Sequence, residues 1–135
     1  MWRSPAPSAS PENGEATFPD RFAAAFPDTS TIFSAQKYDC LMTTVLAAQA
    51  AQSADPAVFV AEIGNVTQGG EKCSLFEDCF NLIMAGTDID YDGVSGPLDF
   101  GPNNEPTIGT YDIFTYELDV IEQSIEEGRG VQTTT

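Results

Sequence analysis

One acidic stretch, rich in glycine and proline, constrains this chain more than any other part: AGTDIDYDGVSGPLDFGPNNEPTIGTYDIFTY, residues 85–116. Three aspartates alternate along it at positions 88, 90 and 92, and Gly93 follows directly. Two structures are compatible with such a pattern. The first is a calcium-binding loop, and the second is a loop that leads into a β-hairpin.

The hairpin hypothesis rests on two segments of β-branched and aromatic residues, 96–100 and 108–116, bounded by Gly, Pro and Asn. Between them lies the segment GPNNEP, residues 101–106, whose composition is typical of a turn. We therefore predict two strands that pair as a hairpin through a rather long loop.

The calcium hypothesis uses the ligand spacing of an EF-hand, with oxygen ligands at positions 1, 3, 5, 7, 9 and 12 and Gly at 6. Those ligand positions fall on Asp88, Asp90, Asp92, the carbonyl of Val94, Gly96 and Asp99. Position 12 is Asp99 where a bidentate Glu is usual, and Pro97 stands where the second helix should begin. We therefore expect that Asp88, Asp90 and Asp92 do not bind calcium.

Composition excludes several classes of function. The chain has 135 residues, a net charge of −16 and five basic residues, which argues against nucleic-acid binding and against a basic membrane-surface helix. It has no histidine, so the commonest general base and metal ligand is missing. No nucleophile–base pair or phosphate loop is apparent, and we predict that the protein is not an enzyme. No run of 18 apolar residues occurs, and the N-terminus lacks the apolar core of a signal peptide.

Apolar periodicity predicts helices at residues 19–26, 31–52, 55–64 and 74–86. The long helix is rich in alanine, and we expect its Asp39 and Gln49 to face outward. Asp55 before Pro56 is a typical N-cap, and Ser74 with Glu77 resembles a capping box. Residues 1–17 are expected to be loop or disordered, 18–117 to form the folded segment, and 118–135 to be an acidic flexible tail.

The three cysteines differ in context. Cys40 falls within the apolar pattern of the long helix, so we predict a buried thiol. Cys73 and Cys79 lie six residues apart around a helix start. By themselves they are compatible either with two unrelated thiols or with a short-loop disulfide, which would imply an oxidising compartment.

From about residue 18 to 117 the sequence resembles the C-terminal part of the type I periplasmic solute-binding proteins, the Leu/Ile/Val-binding receptors of ABC importers. Four features in order carry the resemblance: Tyr38-Asp39-Cys40-Leu41, Gly70-Glu71-Lys72-Cys73 with Cys79, the motif DIDYDGVSGPLDF at residues 88–100, and the strand-like residues 106–116. The resemblance implies an α/β fold, here mostly helices plus a hairpin, in which a ligand lies between two lobes.

The same resemblance implies a function without catalysis or cofactor. Such a protein binds a small solute, a branched-chain amino acid or a related molecule, outside the cytoplasm and delivers it to a membrane permease. It also implies a Cys73–Cys79 disulfide. The aromatic residue just before the Tyr38 motif would contact the ligand, which indicates Phe33, with Ser34 and Gln36 as neighbours.

This chain is much shorter than the family, and we interpret it as a truncated or split member. The apolar residues of its two longer helices (Phe33, Leu41 and Val45 on one; Leu75, Phe80 and Ile83 on the other) would then need a partner surface. That surface is the rest of the fold or a second copy, and we expect no leucine binding by these residues alone. The alternatives are a calcium-binding domain and an acidic interaction domain without a ligand.

Overall fold

The computed structural model describes residues 2–7, 17–108 and 111–116. Contacts between α-carbons divide the chain into two units, which are described separately here. One consists of Met1–Ser8 with Thr110–Thr135, and the other is Ala9–Gly109. The predicted acidic tail at 118–135 lies outside the described residues.

The first unit contains an antiparallel pair of strands. Strand β1 is Trp2–Pro7 and strand β5 is Tyr111–Tyr116, with Trp2 opposite Tyr116 and Pro7 opposite Tyr111. Two predictions were therefore wrong. The first residues of the chain form a strand where their composition favoured a loop, and β5 pairs with them and not with residues 96–100. Pairing between segments more than a hundred residues apart leaves no local sequence signal.

Four α-helices lie in the described part of the second unit: α1 (Phe18–Ala25), α2 (Ser34–Ala50), α3 (Pro56–Phe59) and α4 (Phe76–Met84). A short 3-10 helix, Val60–Glu62, continues α3. Asp55 caps α3 as predicted, since its Oδ1 accepts the Ala57 N–H at 2.9 Å. The predicted capping box of α4 was wrong, because Leu75 is the N-cap and no side chain caps the helix.

A three-stranded mixed sheet accompanies these helices, built from β2 (Glu71–Cys73), β3 (Ile89–Gly93) and β4 (Gly96–Pro97). β2 and β3 are parallel and are joined through α4, whereas β3 and β4 are antiparallel across a tight turn. Neither β2 nor β3 was predicted as a strand. Their shortness and their charged residues, in the sequences EKC and IDYDG, obscure the strand signal.

The main core lies between α2, α4 and the sheet. Its buried members are Met42, Leu46, Ala47, Val66, Cys73, Cys79, Ile89 and Tyr91. A smaller cluster of Phe18, Ala35 and Val94 joins α1 to the start of α2, where the Phe18 and Tyr38 rings lie 5.4 Å apart. The protein is thus a small mixed α/β fold. No helix in the described ranges is long and apolar enough to cross a membrane.

The orientation of α2 differs from the prediction. The side that packs inward carries Ala35, Asp39, Met42, Thr43, Leu46 and Ala47. Asp39 is only 2% exposed, and Cys40 is exposed with a free thiol, so both predictions for these residues were wrong. Leu41 and Val45, 63% and 41% exposed, lie on the outer side.

Candidate functional site

A cluster of hydrogen bonds in the second unit is centred on the buried carboxylate of Asp39. Its Oδ1 accepts hydrogen bonds from the Tyr91 hydroxyl and from the Val94 N–H, both at 2.9 Å. Its Oδ2 accepts from the Ser95 N–H at 2.7 Å and from the Ser95 hydroxyl. The second turn of α2 is thereby tied to β3 and to the turn that follows it. We call these four residues, Asp39, Tyr91, Val94 and Ser95, the Asp39 site.

Burial makes these bonds important. Tyr91 is fully buried and Val94 is 7% exposed. A carboxylate removed from water must have its hydrogen bonds replaced by protein donors. Three neutral residues supply four donors here, two of them backbone N–H groups. The arrangement positions and stabilises a turn.

Gly93 provides the space that the Asp39 site needs. A β-carbon built on Gly93 would lie 2.3 Å from Cγ and from Oδ2 of Asp39, far inside van der Waals contact. A residue with a side chain would therefore push the carboxylate away from the turn. The glycine of the acidic stretch is explained by this close approach between α2 and β3.

The three predicted ligand-binding residues lie at the start of α2. Phe33 adopts a left-handed backbone conformation, with φ 58° and ψ 15°, directly before the helix, and its side chain is 41% exposed. This conformation is uncommon for a bulky residue and is frequent at binding sites. Ser34 is buried, and its hydroxyl donates to the Thr31 carbonyl at 2.6 Å. Gln36 is half-buried.

The aspartates of the calcium hypothesis are not gathered around a common point. No group of three or more potential metal ligands occurs in the part of the chain that is described. Asp90 and Asp92 instead flank Lys72, whose Nζ lies 2.9 Å from Asp90 Oδ2 and 3.0 Å from Asp92 Oδ1. Asp88 is exposed, and Asp99 is half-buried beyond β4. The two paired aspartates belong to β3, an extended strand and not an EF-hand loop.

The electrostatics of Lys72 follow from this pairing. The hydrogen bond to Asp90 raises the pKa of Lys72, the hydrogen bond to Asp92 raises it further, and burial opposes both effects. The lysine side chain is 58% exposed, so water screens these interactions. We call Lys72, Asp90 and Asp92 the Lys72 cluster.

The disulfide between Cys73 and Cys79 is present. It connects the end of β2 to α4, and both residues are buried. It therefore fixes the crossover between the two parallel strands at its beginning. Cys40, the remaining cysteine, is exposed on α2 and has a free thiol.

Sequence reasoning missed the Asp39 site, although a signal for it exists. Ala35, Asp39, Met42 and Leu46 recur at the spacing of one helix face. A charged residue within an otherwise apolar series indicates a buried polar contact. The partners of Asp39 lie more than fifty residues away, so the helix pattern alone does not identify them.

Comparisons of this chain with protein-family models, with curated proteins and with solved structures found no match. The function proposed below therefore rests on the sequence resemblance, the fold, the Asp39 site and the Lys72 cluster.

Proposed function

We propose that this chain is the C-terminal part of a type I solute-binding protein that serves an ABC importer for branched-chain amino acids or related small solutes. The observation that supports it most directly is the Asp39 site. It joins the Tyr38-Asp39 motif to the motif at residues 88–100, two segments that carry the resemblance and lie about fifty residues apart. Because residues of the two motifs hydrogen-bond to each other, the same contact accounts for the presence of both motifs in the sequence.

In this proposal Phe33 contacts the solute. It is an exposed aromatic residue held in a left-handed conformation by the chain that enters α2. The hydroxyl of Ser34 is already bonded to Thr31, and Phe33 is therefore the principal side chain of the proposed contact. A phenyl ring suits the aliphatic end of an amino acid, since its contribution comes from apolar contact.

The opposite wall of the binding cleft would come from chain segments outside these 135 residues, or from a second polypeptide. We therefore expect no measurable leucine binding by the 135 residues alone. A complete receptor would act outside the cytoplasm and deliver its solute to a permease. The Cys73–Cys79 disulfide is compatible with an oxidising compartment.

The proposal is tested by solute binding to the longest polypeptide that the gene encodes. Isothermal titration with leucine, isoleucine, valine, asparagine, urea and phenylalanine should identify a ligand among them. Phe33→Ala should weaken binding about tenfold or more through lost apolar contact. Val58→Ala is the matched control, because Val58 is also an exposed apolar residue but lies on α3, outside the surface of Phe33 and Leu41, and should leave affinity unchanged. Absence of binding to every solute, or equal effects of the two variants, would refute the proposal.

A further inference from the structure

Asn65, Val66 and Thr67 form the sequence Asn-X-Thr, and the middle residue is not proline. This is the acceptor sequence for N-linked glycosylation, in which the side-chain nitrogen of the asparagine carries the sugar. So short a sequence is weak evidence by itself, and its structural context decides its meaning. The asparagine must lie at the surface, and the chain must fold in a compartment of the secretory kind.

The structure places Asn65 at the surface. It lies in the turn that follows the 3-10 helix, and it is exposed, as are Ala61 and Gln68 close to it in the chain. Its amide nitrogen, Nδ2, donates one hydrogen bond, to Glu62 Oε2 at 3.0 Å. An amide nitrogen has two hydrogens, so attachment of a sugar leaves one hydrogen on that nitrogen. A glycan on Asn65 would therefore extend into solvent.

Val66 and Thr67 have the opposite environment, since they are only 3% and 0% exposed. The Thr67 hydroxyl donates to the carbonyls of Ile63 and Gly64, both at 3.1 Å. These contacts fix the turn from its buried side, whereas the Asn65 side chain contributes one exposed hydrogen bond. The fold therefore accounts for Val66 and Thr67 by packing, and it leaves the side chain of Asn65 accessible for modification.

We propose that Asn65 is an N-linked glycosylation site. The Cys73–Cys79 disulfide supports the compartment that this modification requires, because disulfides persist where proteins fold under oxidising conditions. The proposal is independent of solute binding, since it uses only the exposure of Asn65 and the chemistry of its amide.

The donor is an oligosaccharide that a membrane lipid carries through a phosphate group. In the transfer, Asn65 Nδ2 forms a bond to the anomeric carbon of the first sugar. The bond between that carbon and the phosphate oxygen breaks, and its electron pair leaves with the lipid phosphate. Nδ2 loses one proton to a base of the transferase, and nothing is oxidised or reduced.

The burial of Thr67 determines when this transfer occurs. A transferase that recognises Asn-X-Thr reads the threonine as well as the asparagine. In the folded turn the Thr67 side chain is inaccessible, and its hydroxyl is already bonded to two carbonyls. Transfer to Asn65 therefore precedes folding of residues 62–67, and the folded protein is not an acceptor.

The first test is mass spectrometry of the protein isolated from the cells that naturally produce it. Trypsin cleaves after Lys37 and Lys72, so residues 38–72 form one peptide that contains Asn65. We expect that peptide to carry the added mass of several sugar residues, located on Asn65 by fragmentation. A peptide found only at its unmodified mass, or sugar located on serine or threonine residues, would overturn the proposal.

Two variants made in the same cells identify the acceptor. Asn65→Gln should remove all of the added mass, and it should fold normally because the side chain is exposed. Asn103→Gln is the matched control, since Asn103 is also an exposed asparagine but has Glu105 two residues later, and it should keep the added mass. Sugar retained in Asn65→Gln, or lost in Asn103→Gln, would contradict the assignment.

A second experiment tests the order of transfer and folding. The unmodified chain, made in cells without a transferase, is mixed with membranes that contain the transferase and its lipid-linked donor. We expect sugar transfer to the reduced, unfolded chain and none to the folded chain. Equal transfer to both forms would contradict the inference from the burial of Thr67.

Discussion

The Asp39 site and the Lys72 cluster both use carboxylates, and both involve β3, but they differ in their access to water. Asp39 is 2% exposed and accepts hydrogen bonds from three neutral residues. Lys72 carries a full opposite charge to two aspartates. Asp90 is only 11% exposed, but the side chains of Lys72 and Asp92 are 58% and 37% exposed. A listing of charges alone would rank the Lys72 cluster as the stronger interaction.

Burial reverses that ranking. The exposed members of the Lys72 cluster gain little from pairing, because water solvates the Lys72 ammonium and the Asp92 carboxylate nearly as well when they are apart and salt screens their attraction. A buried carboxylate has no such alternative, and neither do the donors that face it. We therefore expect the neutral donors around Asp39 to contribute more to the free energy of unfolding than the charged partners of Lys72.

The largest expected effect comes from removing the carboxylate at the Asp39 site. Asp39→Ala leaves the Tyr91 hydroxyl and the Val94 and Ser95 N–H groups without their acceptor. We expect a loss of about 3–5 kcal/mol in the free energy of unfolding, measured by urea denaturation. Asp92→Ala, at the Lys72 cluster, should cost less than about 1 kcal/mol. Equal losses in the two variants would remove the distinction between the sites.

Gly93→Ala tests the close approach between β3 and α2. The new methyl group would occupy the space of the Asp39 carboxylate, and we expect a cost of about 1–3 kcal/mol from overpacking. Gly64→Ala is the control, since the nearest atom to a β-carbon there lies at an ordinary 3.7 Å. Thermal melts of the two variants should differ clearly, with Gly64→Ala close to the unchanged protein. A neutral Gly93→Ala would mean that the carboxylate does not lie against the turn.

Tyr91→Phe removes one donor from Asp39 and keeps the ring in the core. We expect a loss of about 1–2 kcal/mol, in the range for a hydrogen bond to a charged group. The same substitution in an Asp39→Asn background should cost less, because the charged acceptor is already gone. A double-mutant cycle measures this coupling. Additive effects would indicate that the Tyr91 hydroxyl does not act through Asp39.

Lys72→Met should have a modest effect at neutral pH, about 1–2 kcal/mol, because the Lys72 ammonium is 58% exposed whereas Asp90, 11% exposed, loses its cation. Asp90 first and Asp92 second raise the pKa of Lys72 above its ordinary 10.5. The contribution of Lys72 is therefore complete below pH 10.5 and is lost as pH rises through the higher folded value. Melting temperatures between pH 8 and pH 12 should show a small alkaline loss that is absent in Lys72→Met. A large loss at pH 7 would contradict the expected screening.

Local signals predicted much of the helical structure. Residues close together in sequence determine these features, so the sequence pattern predicts them. They are the extent of α2, the Asp55 cap and the helical segment of α4. The β1–β5 pair and the contacts of Asp39 depend on residues far apart in sequence, and nothing within either segment specifies its partner. β2 and β3 are too short and too charged for alternation to reveal them, although the tertiary fold buries Ile89 and Tyr91.

The exposed apolar residues of α2 also show that helical spacing alone does not predict which side of a helix faces the core. Helical spacing identified Leu41 and Val45 as apolar positions of α2, but it could not show that Asp39 and Met42 take the inward side. The rotation of the helix is fixed by its contacts with Tyr91, Val94 and Ser95. Of the six apolar residues expected to need a partner surface, Phe33, Leu41, Val45 and Leu75 are exposed, whereas Phe80 is half-buried and Ile83 packs against the main core.

Amide hydrogen exchange of Val94 and Ser95 tests the central role of Asp39 most directly. Both N–H groups donate to its carboxylate, so they should exchange as slowly as the Tyr91 N–H, which donates to the Val66 carbonyl. In a folded Asp39→Asn variant, the exchange of Val94 and Ser95 should accelerate while that of Tyr91 changes less. Rapid exchange of Val94 and Ser95 in the unchanged protein would contradict the account, because the turn would then not be held by Asp39.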